Sequence, residues 1–381
     1  MNTTRENSIS MSKPDINEDD VNLVVSALRS GRLSIGPFVD RFEELAREYI
    51  GTRHAVAVTS GTSGLHLCMR LAGVREGTEV ITSPFSFVAS ANCILYERGT
   101  PVFVDIDEET LNIDPAAVGA AVTNRTVGIL PIHVFGRPAA MDSLCQTADR
   151  HSLVLIEDAC EALGAMYRNR KVGTFGRASV FAFYPNKQMT TGEGAIIATN
   201  DSTWDASLRS LRNHGRGTVN GWLSHDQIGF NYRLNELSSA LGVSQLSRID
   251  DLLDRRAAVA ARYSDRLTTV PGIQALMPVE GTTRMSWFVY VVRFDAALNR
   301  DDIASRLAGK GIPTRNYFPP IHLQPYFREQ FGFRAGQFPI TERVSASTLA
   351  LPFHTNLSER EIEQVCTALS ESIDETVEAR R

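Results

Sequence analysis

Cysteine is scarce in this chain, and what there is forms no pattern. Cys68, Cys93, Cys145, Cys160 and Cys366 are dispersed, with no CxxC pair and no metal-type spacing. An odd, scattered set excludes a disulfide framework and a zinc-type site, and reads as free thiols in a reducing cytoplasm. Long apolar runs are missing as well. None approaches the length of a membrane span, so no membrane association is expected. Basic residues form no run or stripe and the formal net charge is −5. Nucleic acid is therefore a poor partner, because phosphate neutralisation needs clustered Lys and Arg. Internal repeats and low-complexity tracts are absent, and Met1 to Asp20 is polar and charged, unlike a signal peptide. The glycosylation-type triplets at Asn2, Asn124 and Asn356 are read as chance matches. What remains is a 381-residue chain, 43% hydrophobic and 22% charged, with the composition of an ordinary soluble protein and room for two domains.

What is present is alternation. Apolar runs of strand length at His54–Thr59, Glu79–Thr82, Pro101–Asp105, Val127–Ile132 and Leu153–Asp158 are separated by helical segments. That is the signature of an α/β fold with a mostly parallel sheet. Ala178–Phe183 and Ala195–Thr199 follow with no long helix between them, so this pair is expected to be antiparallel. Asn17-Glu-Asp-Asp20 caps a helix that runs to Arg29. From Leu234, the recurrence of Leu237, Leu241, Ile249 and Leu252 predicts one long amphipathic helix. It would link a large domain, residues 1–245, to a smaller C-terminal one, residues 246–381. Strand-like Trp287–Phe294, a helix near Arg300–Ala308, a turn through Tyr317-Phe-Pro-Pro320 and a helix opened by Ser358-Glu-Arg-Glu361 complete the pattern.

The chemistry concentrates at Lys187, in the turn Tyr184-Pro-Asn-Lys187-Gln-Met-Thr-Thr-Gly-Glu-Gly194 between two apolar runs. An amine held between buried strands is partly desolvated, which favours its neutral, nucleophilic form and suits a Schiff-base lysine. Alone, such a lysine would read as a solvated turn residue. Upstream, Leu153-Val-Leu-Ile-Glu-Asp158 ends on a carboxylate one strand away. Lysine for an aldehyde and aspartate for a ring nitrogen is the pair that pyridoxal 5'-phosphate (PLP) requires, whereas Asp158 alone would be a helix cap. Val58-Thr-Ser-Gly61-Thr62-Ser63-Gly64 is a strand, a tight turn and a helix start. Its outward N–H groups suit a phosphate, and the alternative is a plain strand–helix connection. It is neither a Walker loop nor a dinucleotide fingerprint, so ATP and NAD are not supported. Phe87 either stacks on the cofactor ring or belongs to the core. Gly192 and Gly194 would let the chain turn tightly beside the cofactor.

Through these segments the chain resembles the DegT/DnrJ/StrS family of PLP-dependent sugar aminotransferases over nearly its whole length. The likeness is carried by Ser34-Ile-Gly36-Pro37 with Phe42-Glu43, Thr59-Ser-Gly-Thr62, Pro101-Val-Phe-Val-Asp105-Ile-Asp107, Glu157-Asp158-Ala, and Lys187 with Thr191-Gly-Glu-Gly194. Gly229-Phe-Asn231-Tyr-Arg233-Leu-Asn-Glu236 and Gly311-Ile-Pro-Thr-Arg315 with His322-Leu-Gln-Pro-Tyr326 add to it. The resemblance implies an α/β protein of fold type I, with a large domain built on a mostly parallel mixed sheet and a smaller C-terminal α/β domain. It implies PLP as cofactor, a homodimer with shared active sites, and transfer of an amino group from L-glutamate to a nucleotide-linked keto-sugar. Cyclitol amination and a sugar dehydration that uses pyridoxamine phosphate are alternatives within the family, the latter with His in place of the lysine. A non-catalytic PLP-binding regulator is a third.

Carried over by position, Lys187 is the cofactor-bound lysine and Asp158 the ring-nitrogen partner. Gly61, Thr62 and Ser63 would bind the phosphate, with Asn231 reaching across from the other subunit. Phe87 would stack on the ring, and Tyr317 and His322 would face the sugar, although His322 alone reads as a surface or capping histidine. Three positions depart from the family pattern. Ala182 replaces the Ser that often stands five residues before the lysine, and Ala195 follows Gly194 in place of a second Gly. Glu161 replaces a Gln or His near the phenolic oxygen of the cofactor. An ionised Glu cannot donate a hydrogen bond there, so it is expected to be protonated or turned away.

Overall fold

Strands form where apolar runs predicted them, with ends displaced by up to three residues. The computed structural model describes residues 9–217 and 224–379; the triplet at Asn2 lies outside the described residues. The strands are β1 (His54–Val58), β2 (Glu79–Thr82), β3 (Thr100–Phe103), β4 (Thr126–Leu130), β5 (Val154–Asp158), β6 (Met166–Tyr167) and β7 (Arg170–Lys171). They continue with β8 (Ala178–Ala182), β9 (Ala195–Thr199), β10 (Ile273–Ala275), β11 (Thr282–Arg284), β12 (Tyr290–Phe294) and β13 (Thr348–Leu351). Seven of them make one sheet in the order β1-β9-β8-β5-β4-β2-β3. The run from β8 to β3 is parallel throughout. β9 lies antiparallel to both of its neighbours, as the missing helix between β8 and β9 predicted. Helices cover both faces, so β2 and β9 are buried at every residue and read as continuous apolar runs.

This topology places the site. β1, β2, β5 and β8 share one direction, so their C-terminal ends lie along a single edge of the sheet. In α/β sheets that edge is where ligands bind. Thr59, Ser83, Asp158 and the Lys187 turn all follow those ends.

The first helices are set by their caps. α1 (Glu18–Arg29) begins at an Asn17–Asp20 capping box, and α2 (Pro37–Ile50) has proline in its first turn. The start of α2 is held from far along the chain. The buried Glu236 carboxylate accepts from Gly36 N (3.1 Å), Phe38 N (3.0 Å) and Val39 N (3.0 Å), where helix N–H groups lack intrahelical partners. Gly36 is needed for this approach, since a Cβ there would come within 2.5 Å of Glu236 Oε2. Two of the family-type segments are thereby one physical unit. Glu236→Ala is expected to destabilise the protein by about 2–4 kcal/mol in urea unfolding, because three donors lose a charged acceptor. Glu236→Gln, which keeps one acceptor oxygen, should fall between; an unchanged midpoint for both would refute the clamp.

The long helix predicted from Leu234 is two helices, Glu236–Ser247 and Ile249–Leu267. The chain leaves helical geometry at Arg248 (φ −119°, ψ 20°). Its guanidinium reaches Asp15 (2.7 Å) and Asp20 (2.8 Å) near the N-terminus, contacts that no periodicity along the helix reports. A boundary between residues 245 and 246 therefore falls inside the first of these helices, and the division into two domains stays a proposal.

The C-terminal part is built on the antiparallel sheet β10-β12-β13, covered by helices Arg300–Gly309 and Glu359–Glu378, the latter opened by the Ser358–Glu361 capping box. Ile9 is buried in this C-terminal core, and Met11 O accepts from Phe353 N at 2.9 Å. The first described residues thus pack with the C-terminal part, which a 1–245 grouping does not anticipate. Among the described residues no helix is long and apolar enough to cross a membrane.

Candidate active site

Asp158 closes β5 and is almost wholly buried, at 4% exposure. Neighbouring residues of a strand face opposite sides, so Glu157 points away from Asp158. The Glu157 carboxylate accepts from Gly173 N, Phe175 N and Gly176 N (2.7, 2.7 and 2.8 Å) and lies 3.2 Å from His133 Nε2. His133 Nδ1 accepts from Ala139 N at 3.0 Å, so the proton of a neutral ring sits on Nε2 and is donated to Glu157. This network ties the end of β5 to the loop before β8. On the other side, Ser90 Oγ donates to Asp158 Oδ2 at 2.7 Å, Ser86 Oγ lies 2.9 Å from Ser90 Oγ, and Cys160 N donates to Oδ1 at 3.2 Å.

Lys187 stands in the turn between β8 and β9, with its side chain 14% exposed. The turn is pinned by Phe183 N to Gly194 O (2.9 Å) and Thr191 N to Phe183 O (3.0 Å). Gly192 (φ +77°) and Gly194 (φ +157°) supply backbone conformations that other residues rarely adopt. Lys187 Nζ lies 3.5 Å from Glu161 Oε1 and 3.9 Å from the centre of the Phe288 ring, a charge pair and a cation–π contact. Glu161 is therefore not turned away. It faces the lysine, and its Oε2 accepts from Phe135 N at 2.9 Å. Burial raises the Glu161 carboxyl above the usual range, Asp158 adds to the rise, and Lys187 and the Phe135 N–H oppose it. Tyr317 joins the same group. Its ring stacks 6.1 Å from Phe288, and burial together with the Glu161 charge raises its phenol.

α3 (Gly61–Leu71) starts at the end of β1. A Cβ on Gly61 would meet Ala182 Cβ at 2.9 Å and Cys160 Sγ at 3.0 Å, so the glycine lets this helix end press against both the Asp158 loop and the strand leading to Lys187. Ala182 thus borders the helix start, where a Ser would have offered a hydroxyl. Gly61 N and Thr62 N make no hydrogen bond within the described residues, and they are the donors open to an anion. Ser63 departs from expectation. Its N–H donates to Ser60 Oγ (3.1 Å), while its hydroxyl accepts from Ser60 N (3.0 Å) and donates to Ser60 O (2.8 Å). The capping box consumes the groups that were expected to bind phosphate.

Phe87 is 61% exposed, which removes the core-packing alternative; it adjoins Ser86 and so borders the Asp158 hydroxyl chain. Asn231 is exposed and bridges to Asn213, in a segment whose Tyr232 O accepts from Thr59 N at 3.0 Å. His322 does not join the group. It is fully buried, with Nε2 3.1 Å from Glu342 Oε1 and its ring against Phe338 at 4.7 Å. An aromatic cluster holds it, so it offers no face to a sugar in this chain. Ser86, Ser90, Phe135 and Phe288 escaped the sequence reading. Only the four-residue spacing of Ser86 and Ser90 gave a local signal; the others meet the site across more than a hundred residues or through backbone atoms.

An amine, a buried carboxylate, an open aromatic ring and a helix start with unclaimed N–H groups thus share one sheet edge. This donor set fits PLP. The profile of the DegT/DnrJ/EryC1/StrS aminotransferase family matches residues 14–370. The chain is 36% identical over 383 residues to the spore coat polysaccharide biosynthesis protein SpsC of Bacillus subtilis, covering 97% of this chain and 98% of that one. It is 36% identical over 366 residues to GDP-perosamine synthase of Caulobacter vibrioides, covering 95% and 98%. Among solved structures, Helicobacter pylori PseC, an aminotransferase involved in the biosynthesis of pseudoaminic acid, superposes with a TM-score of 0.91 at 29% identity, over 97% of this chain and 100% of that chain. A Streptococcus pneumoniae sugar aminotransferase in its PLP form gives 0.92 at 25% identity, over 97% and 100%.

Proposed function

The chain belongs to the DegT/DnrJ/EryC1/StrS aminotransferase family, and from that premise we propose that it moves an amino group from L-glutamate to a nucleotide-linked keto-sugar. It is a PLP-dependent aminotransferase of fold type I. The observation that carries amino-transfer chemistry is the placement of Lys187 and Asp158 at one sheet edge, both acting on the same buried Glu161. The likeness to GDP-perosamine synthase supports a nucleotide-linked sugar as acceptor. Lysine at position 187 favours amino transfer over dehydration.

When bound, PLP supplies an aldehyde that carries the amino group and a ring that accepts the electron pair left at the substrate Cα. The chain's residues do the rest. Lys187 Nζ takes the Cα proton as general base and returns a proton as general acid. Asp158 stabilises positive charge on the ring nitrogen, with Ser90 fixing one of its oxygens. Gly61 N and Thr62 N would hold the phosphate, joined by Asn231 of a second copy in a homodimer that shares its sites. Phe87 would stack on the ring, and Tyr317 would face the sugar.

The visible absorption spectrum of the purified protein tests this. A band from the lysine-bound cofactor should be present and should bleach on adding L-glutamate. Nucleotide-linked keto-sugars should then restore it. A band that glutamate leaves unchanged overturns the donor, and no band after adding PLP overturns the site.

A further inference from the structure

Glu161 is 5% exposed, yet neither of its oxygens is spent on a full counter-charge bond. Phe135 N holds Oε2 at 2.9 Å, which aims Oε1 at Lys187 Nζ, 3.5 Å away. The other ionisable groups that feel this carboxyl are Asp158 and Cys160 on its own loop and Tyr317 from the C-terminal part. The Phe288 ring also lies against Nζ, with its centre 3.9 Å away. Lys187 is the leading positive charge acting on Glu161.

We infer that Glu161 is the proton partner of Lys187. When the lysine is a free ammonium, the carboxylate is its counter-ion. When the amine is neutral or bonded to the cofactor, Glu161 holds the proton as a carboxylic acid. In the transfer an N–H bond at Nζ breaks, an O–H bond at Oε1 forms, and the nitrogen keeps its electron pair. The pair has zero net charge before and after, so the proton need not cross a dry site to reach water. The tendency of Glu161 to hold its proton, with burial as the leading cause, agrees with the geometry. The same residue also resolves its departure from the family pattern, because a protonated Glu161 can donate a hydrogen bond as Gln would.

The inference rests on Lys187 being the reacting amine, and it is tested on cofactor-free protein so that the two readings separate. In Lys187→Met the lysine charge is gone, and infrared spectroscopy at neutral pH should show a protonated carboxyl band. That band should vanish in the Lys187→Met/Glu161→Gln double variant. In Glu161→Gln, where the amide oxygen can still accept from Phe135 N, Lys187 has lost its counter-ion. Acetic anhydride should then label it about tenfold faster than in the wild type, read by mass spectrometry of its peptide. Absence of the carboxyl band, or equal labelling in the two proteins, overturns the proton partnership. A wild type that never acquires a cofactor band would overturn the functional reading and leave these two results standing.

Discussion

Lys187→Ala is expected to lose at least about four orders of magnitude in steady turnover while remaining folded. The effect is large because one atom, Nζ, is asked both to hold the cofactor and to move the substrate proton, and general base catalysis alone contributes about 10²–10⁴-fold. Among the described residues no second amine is placed beside it: Glu161, Phe288 and Tyr317 are its neighbours, and none can take the covalent role. The packing cost should be modest, since the lysine, on the loop between β8 and β9, makes one long ion pair to Glu161 and one ring contact to Phe288. The measurement is turnover with glutamate and a keto-sugar acceptor, beside a circular dichroism spectrum that confirms the fold. Cofactor should still bind through the phosphate and ring contacts, and it should be released on gel filtration under denaturing conditions. Turnover within about tenfold of the wild type would end the assignment of Lys187.

Asp158→Asn is the second large effect, expected to slow the glutamate half-reaction by about 10²–10³-fold, the usual loss when one preorganised electrostatic group is removed. The substitution is close to isosteric. Asn keeps one oxygen to accept from Cys160 N and presents an amide N–H to Ser90 Oγ, which can accept it by turning its hydroxyl, so the shape of the site should survive. What disappears is the negative charge opposite the ring nitrogen, and with it the ring's capacity to take up electrons. Single-turnover bleaching of the cofactor band by L-glutamate measures this step. A half-reaction at wild-type rate would move the role away from Asp158. Ser90→Ala should show a smaller loss of the same kind, because it removes an orienting bond and leaves the charge.

The two effects rest on residues that could be found by reading the chain. Lys187 and Asp158 each follow a strand that its own apolar run announces, and in a parallel sheet the ends of such strands meet at one edge. The neighbours that tune them were less visible. Phe288 lies about a hundred residues from Lys187 in sequence and reaches it only because the C-terminal part packs over the sheet edge. Glu161 stood out as a departure, but whether it faced inward depended on Phe135 N, a backbone donor with no sequence signature. Ser63 was misread because a capping box and a phosphate loop use the same residue types at the same helix start. The bonds to Ser60 settle which use the hydroxyl is put to. His322 was misread because a histidine in a Pro-rich turn gives no hint that Phe333, Phe338 and Glu342 will close around it.

Local preference therefore decided the elements of this protein: the buried strands, the caps at Asn17 and Ser358, the glycines of the lysine turn, and the alternation that makes a parallel sheet. Those features depend on interactions within a few residues, and the chain carries them in its pattern of apolar, capping and turn residues. Tertiary structure decided the rest. It broke the helix at Arg248 to satisfy Asp15 and Asp20, bound the start of α2 to Glu236, and attached the first described residues to the C-terminal core. It also turned a glutamate toward a lysine. Each of these joins groups far apart in sequence, and desolvated charges take whichever partner the packing brings near, because leaving them unpaired costs more than any local preference can return.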